Sequence, residues 1–225
     1  MGFLVVAAGV SILTTIGIVV SLLLPAIQFF REVSITEFLT GTSWTPRFQD
    51  PTFGVLPLIT GTMWTTAIAL SVSIPIGLGA AIYLSEYAST RTRKVFKPTL
   101  ELLAGVPSVV YGLFAVTFVG PVVLKEWLGI EVATFSVLAA GLVLGVMIIP
   151  TVASLAEDAM SAVPRALREA SYGLGANRMR TVLRVVFPAA VSGIAAAIVL
   201  GLSRAVGETM IVAMAAGSQA KMVTD

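Results

Sequence analysis

Five long runs of this chain carry no charged residue: Met1 to Phe30, Pro51 to Ser85, Leu102 to Leu124, Val132 to Ala156 and Val185 to Ser203. A bilayer core takes roughly 20 apolar residues of helix, so each run reads as one crossing. None alternates with the period of two that a barrel strand requires. The pattern predicts an all-α integral membrane protein with five transmembrane helices, at about 3–30, 56–85, 100–124, 133–156 and 186–217, in a single domain over 1–225. The first run lacks a basic n-region and a clear small-residue cleavage site, so it reads as a retained helix rather than a signal peptide.

Composition agrees with this reading and narrows the chemistry. Charged residues make up 12% of the chain, apolar ones 57%, and the mean hydropathy is +0.98, whereas charge in a soluble domain runs near ~25%. With no Cys and no His, disulfides, cysteine nucleophiles, histidine-ligated haem and the usual zinc sites are excluded. A net charge of +2 held mostly in loops gives no support to nucleic-acid binding. The basic residues instead mark sides. Arg91, Arg93, Lys94 and Lys97 fall in one loop, and Arg165, Arg168, Arg178, Arg180 and Arg184 in another, while Arg31, Arg47 and Lys125 are all that the remaining connections hold. The positive-inside rule makes the two basic loops and the N-terminus cytoplasmic, and the loops of Trp44 and Trp127 and the segment Ser218 to Asp225 external.

The second basic loop, about 157–185, has a local design of its own. Pro164 opens a short helix reaching Tyr172, Gly173 and Gly175 end it, and Asn177 caps a second helix that reaches Pro188. Two short helices at a bend make a rigid knob.

Arg204 and Glu208 are charges within the fifth predicted helix, about 186–217, where each needs a partner or water because a charge at membrane depth costs about 2.5 kcal/mol or more. At i and i+4 in a continuous helix they share a face, which allows a mutual ion pair. The alternative is that Arg204, with a fork suited to oxyanions, lines a path and Glu208 holds it and competes for it. In the third stretch Gly105, Pro107 and Gly112 mark a candidate broken helix, from which Ser108 and Tyr111 can offer hydroxyls to that path; a kink that only packs helices is the other reading.

Glu169-Ala170-Ser171, then Gly175, then Val185, Phe187 and Pro188 resemble the EAA loop of ABC importer permeases, with Ser171, Val185 and Phe187 standing where the consensus has Ala, Ile and Leu. Arg204-Ala-Val-Gly207-Glu208-Thr209 resembles the signature of phosphate ABC permeases. Phe38-Leu-Thr-Gly-Thr42 with Trp44, Leu84-Ser-Glu-Tyr87 and the run from Leu102 to Gly112 extend the likeness, which is closer to the PstC-type subunit than to its PstA-type sibling. The resemblance implies a phosphate permease in the plasma (inner) membrane, whose Glu169, Ala170, Ser171, Gly175 and Pro188 couple to a cytoplasmic ATPase dimer. It also implies a second, PstA-type permease and an external phosphate-binding protein as partners, beside membrane lipid. Members of this type generally finish with a further helix, so a sixth, C-terminal helix is expected for the family and is absent from this chain.

With no Gly-x4-Gly-Lys-[Ser/Thr] loop, no cofactor is expected in this chain; ATP and Mg would be used by the partner ATPase. The sequence leaves two alternatives: a permease for another oxyanion such as sulfate or molybdate, and an ATP-independent transporter or channel using Arg204 and Glu208 as a relay. An intramembrane enzyme lacks a nucleophile and base.

Overall fold

A computed structural model describes residues 2–46 and 50–217. Arg47 and the segment Ser218 to Asp225, which the charge pattern assigned to the outer side, lie outside the described residues. Among those described, the structure is helical, with an isolated bridge between Trp44 and Phe53 and no strand. The described residues divide into two compact units, one ending at Thr60 and the other beginning at Gly61.

In the first unit α1 (Gly2–Glu32) is apolar on every side and buries none of its residues, the pattern of a helix whose solvent is lipid. Ser34 starts α2 (Ile35–Thr40), its Oγ accepting the Glu37 amide at 3.1 Å. Phe38 meets Phe29 and Phe30 edge to face, and Phe53 meets both Phe29 and Trp44 in the same way, so these rings form one packed cluster. The loop folds back on itself where the Thr45 amide donates to the Thr52 carbonyl and the Gly54 amide to that of Ser43, each at 2.9 Å.

α3 (Leu56–Ile82) begins in the first unit and runs through the second, continuing as a π-helical turn over Tyr83–Tyr87. The second unit is organised around α6 (Val137–Ser161), along which three buried clusters are strung, centred on Met160 and Val186, on Leu144 and Ile148, and on Val143 and Leu124. Small residues set the spacing there: a Cβ on Gly145 would lie 2.9 Å from the Ala69 carbonyl oxygen, and one on Gly193 2.5 Å from the Ala159 Cβ. Close backbone approach of this kind replaces the hydrophobic effect that lipid cannot supply.

The stretch expected as one helix over about 100–124 is divided. α4 (Thr90–Ala104) is amphipathic and capped by Ser89, whose Oγ accepts the Thr92 amide; α5 (Ser108–Phe114) follows the break at Gly105-Val106-Pro107 and continues as a π-helix over Ala115–Trp127. The basic segment read as a loop is thus the first half of α4, and the apolar span is Ser108–Trp127. The single helix expected over about 186–217 is interrupted as well. After α7 (Arg165–Gly173), α8 (Arg178–Thr181) leads through a π-turn at Val182–Val186 into α9 (Phe187–Ala189), α10 (Val191–Gly207) follows at a 73° bend, and α11 (Met210–Ala215) follows a second break. Among the described residues four helices are long and apolar enough to cross a membrane, or five if the bent pair is one span.

Candidate functional site

A helix that stops inside an apolar region leaves carbonyls that must find donors. At the end of α4 the Gly105 amide donates to Leu102 at 3.1 Å, and Leu103 receives both the Val106 amide at 3.3 Å and the Tyr111 hydroxyl at 3.1 Å. The Ala104 carbonyl receives Nη2 of Arg204 at 3.0 Å. Tyr111 therefore seals the break in α4, and Arg204 does the same from 100 residues away. Ser108, the first residue of α5, is half-buried.

Arg204 is half-buried on α10, and its Nη1 donates to the Thr151 hydroxyl of α6 at 3.0 Å. The ion pair with Glu208 that a continuous helix would allow is not formed. α10 ends at Gly207, Glu208 is extended (φ −76, ψ 118), and its Oε1 accepts the amides of Met210 at 3.0 Å and Ile211 at 3.2 Å. The carboxylate thus caps α11 instead of facing the guanidinium. The shared helical face expected for the two residues is corrected with it, because i and i+4 meet only within a helix. α11 packs on α5, and a Cβ on Gly112 would lie 3.0 Å from the Met214 sulfur. Among the described residues, the hydrogen-bond partners of the Arg204 guanidinium, Thr151 and the Ala104 carbonyl, are both uncharged.

The knob forms from the local signals that predict it. Pro164 precedes α7, Gly175 takes φ +82, the left-handed region open to glycine, and Asn177 Oδ1 accepts the Arg180 amide at 2.9 Å. Ser171 and Thr181 share a hydroxyl bond of 2.9 Å across the bend. Glu169, Ala170, Gly175 and Pro188 are exposed, and Leu174 is 90% exposed. Behind them Arg168 turns inward to Glu86 at 2.8 Å and to the carbonyl of Met160. Beside this pair is a cavity of about 360 Å³ with Arg165, Arg178 and Tyr172 in its lining.

One charged cluster has no counterpart among the expected sites. Glu157, 2% exposed near the end of α6, receives Arg93 and Lys97 of α4 at 2.9 Å each and the Ser161 hydroxyl at 2.8 Å. Lys97 also bonds Asp158, the largest of the causes that raise its pKa above the ordinary lysine value. The signal available in sequence was two carboxylates closing an apolar run opposite a basic segment; their partners lie 60 residues away.

Residues 73–224 match the family described as binding-protein-dependent transport system inner membrane component. The probable ABC transporter permease YqgH of Bacillus subtilis is 39% identical over 96% of this chain and 68% of its own length. The PstC permease of Mesorhizobium japonicum is 33% identical over 97% and 71%, and PstC 1 of Mycobacterium tuberculosis 38% identical over 81% and 63%. The chain therefore spans roughly two thirds of the length of these relatives. In fold it is similar to an inward-facing structure of the MetNI methionine ABC transporter, with a TM-score of 0.50, 22% identity and 68% of each chain covered. Membership of this family removes the ATP-independent alternative and the enzyme with it: the chain belongs to the inner-membrane permease components of binding-protein-dependent ABC transport systems.

Proposed function

We propose that this permease carries inorganic phosphate across the membrane on a path lined by Arg204, with Glu208, Ser108 and Tyr111 around it. One observation carries the reading: a guanidinium held among apolar helices, where two helices break, with only neutral partners. A cation at depth that serves stability alone is expected to be neutralised by a carboxylate. Leaving it unneutralised suits a group whose counter-ion is the cargo. The PstC relatives support phosphate as that cargo, as does the Arg204 to Thr209 signature.

In this reading the second permease is of PstA type, an external binding protein delivers phosphate, and an ATPase dimer with its ATP and Mg docks on Glu169, Ala170, Ser171, Gly175 and Pro188. The knob and the N-terminus then lie on the cytoplasmic side, and 1–225 acts as one permease domain. Exposed apolar residues around the bend, Leu174 and Met179 among them, fit a docking surface. ATP-driven closure of the ATPase would move the knob as a body and reopen the site to the other side. Glu208 fixes the second break and sets a negative charge near the path, which keeps a bound anion from being trapped.

The test is ATP-dependent uptake into proteoliposomes holding this subunit with its partners. Wild type should take up phosphate in preference to sulfate, and Arg204→Gln should lose uptake while inserting normally. Wild-type uptake by that variant would remove Arg204 from the path. Gly175→Val, strained at positive φ, should lose the ATPase on purification; normal copurification and transport would remove the knob from coupling.

A further inference from the structure

Thr65, Thr99 and Thr117 turn their hydroxyl hydrogens back onto their own helices, to Gly61, Val95 and Leu113. Thr151 does not. Its Oγ1 accepts Nη1 of Arg204, and among the described residues its own hydrogen meets no acceptor. A hydroxyl that accepts from a guanidinium keeps one donor to give, and of the five N–H groups of Arg204 about three remain unspent beside it. Thr151 and Arg204 are both half-buried, so neither is sealed inside the protein.

Next to them stands an acceptor. The Ala104 carbonyl takes one bond from Arg204 and has a second lone pair, and it closes a 15-residue helix whose C-terminus carries partial negative charge. An oxyanion without hydrogens meets repulsion there, whereas one that keeps an O–H can donate to that carbonyl. From this arrangement we infer that Arg204, Thr151 and the Ala104 carbonyl form one cradle for a tetrahedral oxyanion that carries a hydrogen, hydrogen phosphate rather than sulfate, with Thr151 as a substrate-contacting residue. The inference rests on the path proposed for Arg204 and names how that path distinguishes its cargo.

The experiment measures equilibrium binding of radiolabelled inorganic phosphate to the complex of this subunit with its second permease and ATPase dimer in lipid nanodiscs, without the external binding protein, with arsenate and sulfate as competitors. Thr151→Val keeps the side-chain volume and removes the hydroxyl, and should weaken phosphate binding about tenfold, the loss of one hydrogen bond to a charged group. Thr151→Ser should restore it to within about twofold. Arsenate, which keeps a hydrogen, should compete, and sulfate should not. Wild-type binding by Thr151→Val, equal loss in Thr151→Val and Thr151→Ser, sulfate competing as well as arsenate, or no saturable phosphate binding by the wild type would each overturn the cradle. Uptake by Arg204→Gln separates the two levels: if it is lost while Thr151→Val binds normally, only the cradle falls; if it is retained, the path itself is wrong.

Discussion

Glu157 and Arg204 are both charged side chains of long apolar helices, and the protein treats them in opposite ways. Around Glu157, with 3% of its side chain exposed, two cations and a hydroxyl close in. Around Arg204 there are a hydroxyl and a carbonyl, and the carboxylate four residues on turns to cap a different helix. Breaking a buried pair costs about 3–5 kcal/mol because a charge is left uncompensated, so a protein that builds one is fastening elements together. Here the fastened elements are α4 and α6. The other arrangement fastens little and leaves charge unspent, the condition for binding an anion.

The comparison makes its sharpest demand on transport. Arg204→Gln should reduce phosphate uptake by about 100-fold, the loss of roughly 3 kcal/mol of charge-assisted bonding, with thermal stability of the complex nearly unchanged. Glu157→Leu should do the reverse: a loss of about 2–3 kcal/mol in denaturant or thermal unfolding, below the full buried-pair cost because Arg93 and Lys97 reach solvent, with uptake per folded molecule within about twofold of wild type. If the two variants show the same signature, the contrast fails. A double-mutant cycle comes next in size. Lys97 and Glu157 should couple by about 1 kcal/mol or more, and Arg204 and Glu208 by less than about 0.5 kcal/mol; uptake in the Arg204→Gln, Glu208→Gln double variant should stay as low as in Arg204→Gln alone.

The smallest effect belongs to Asp158→Asn. Its side chain is 57% exposed, so the loss should stay under about 0.5 kcal/mol. Lys97, whose pKa is raised first by Asp158, contributes stability that is complete below the unfolded lysine value and is lost only as pH rises through the folded one, above about pH 10. Thermal stability between about pH 6 and 9 should therefore not move on its account.

What sequence showed and what it hid divide by distance along the chain. The knob was legible because Pro164, Gly175 and Asn177 act within a few residues of themselves. The break at Gly105 to Pro107 was legible for the same reason. The third span starts at Ser108 rather than near 100, because Leu102 to Ala104, although uncharged, finish an amphipathic helix begun at Thr90. The second break went unread: spacing of four assumes a continuous helix, yet Gly207 ends α10 and the Glu208 side chain starts α11. Neither the bond of Arg204 to Ala104 nor the clamp on Glu157 has any local signature.

The 73° bend between the run ending at Ala189 and the helix beginning at Val191 can be read as a crank. Arg204 lies thirteen residues beyond Val191, and at 1.5 Å of rise per residue the arm from the corner to the guanidinium-bearing residue is about 20 Å. A turn of about 5° at the corner carries that residue by about 1.7 Å, more than a hydrogen bond tolerates. If the corner flexes while α6 and α4 stay in place, a small push on the short arm would unhook Arg204 from Thr151 and Ala104.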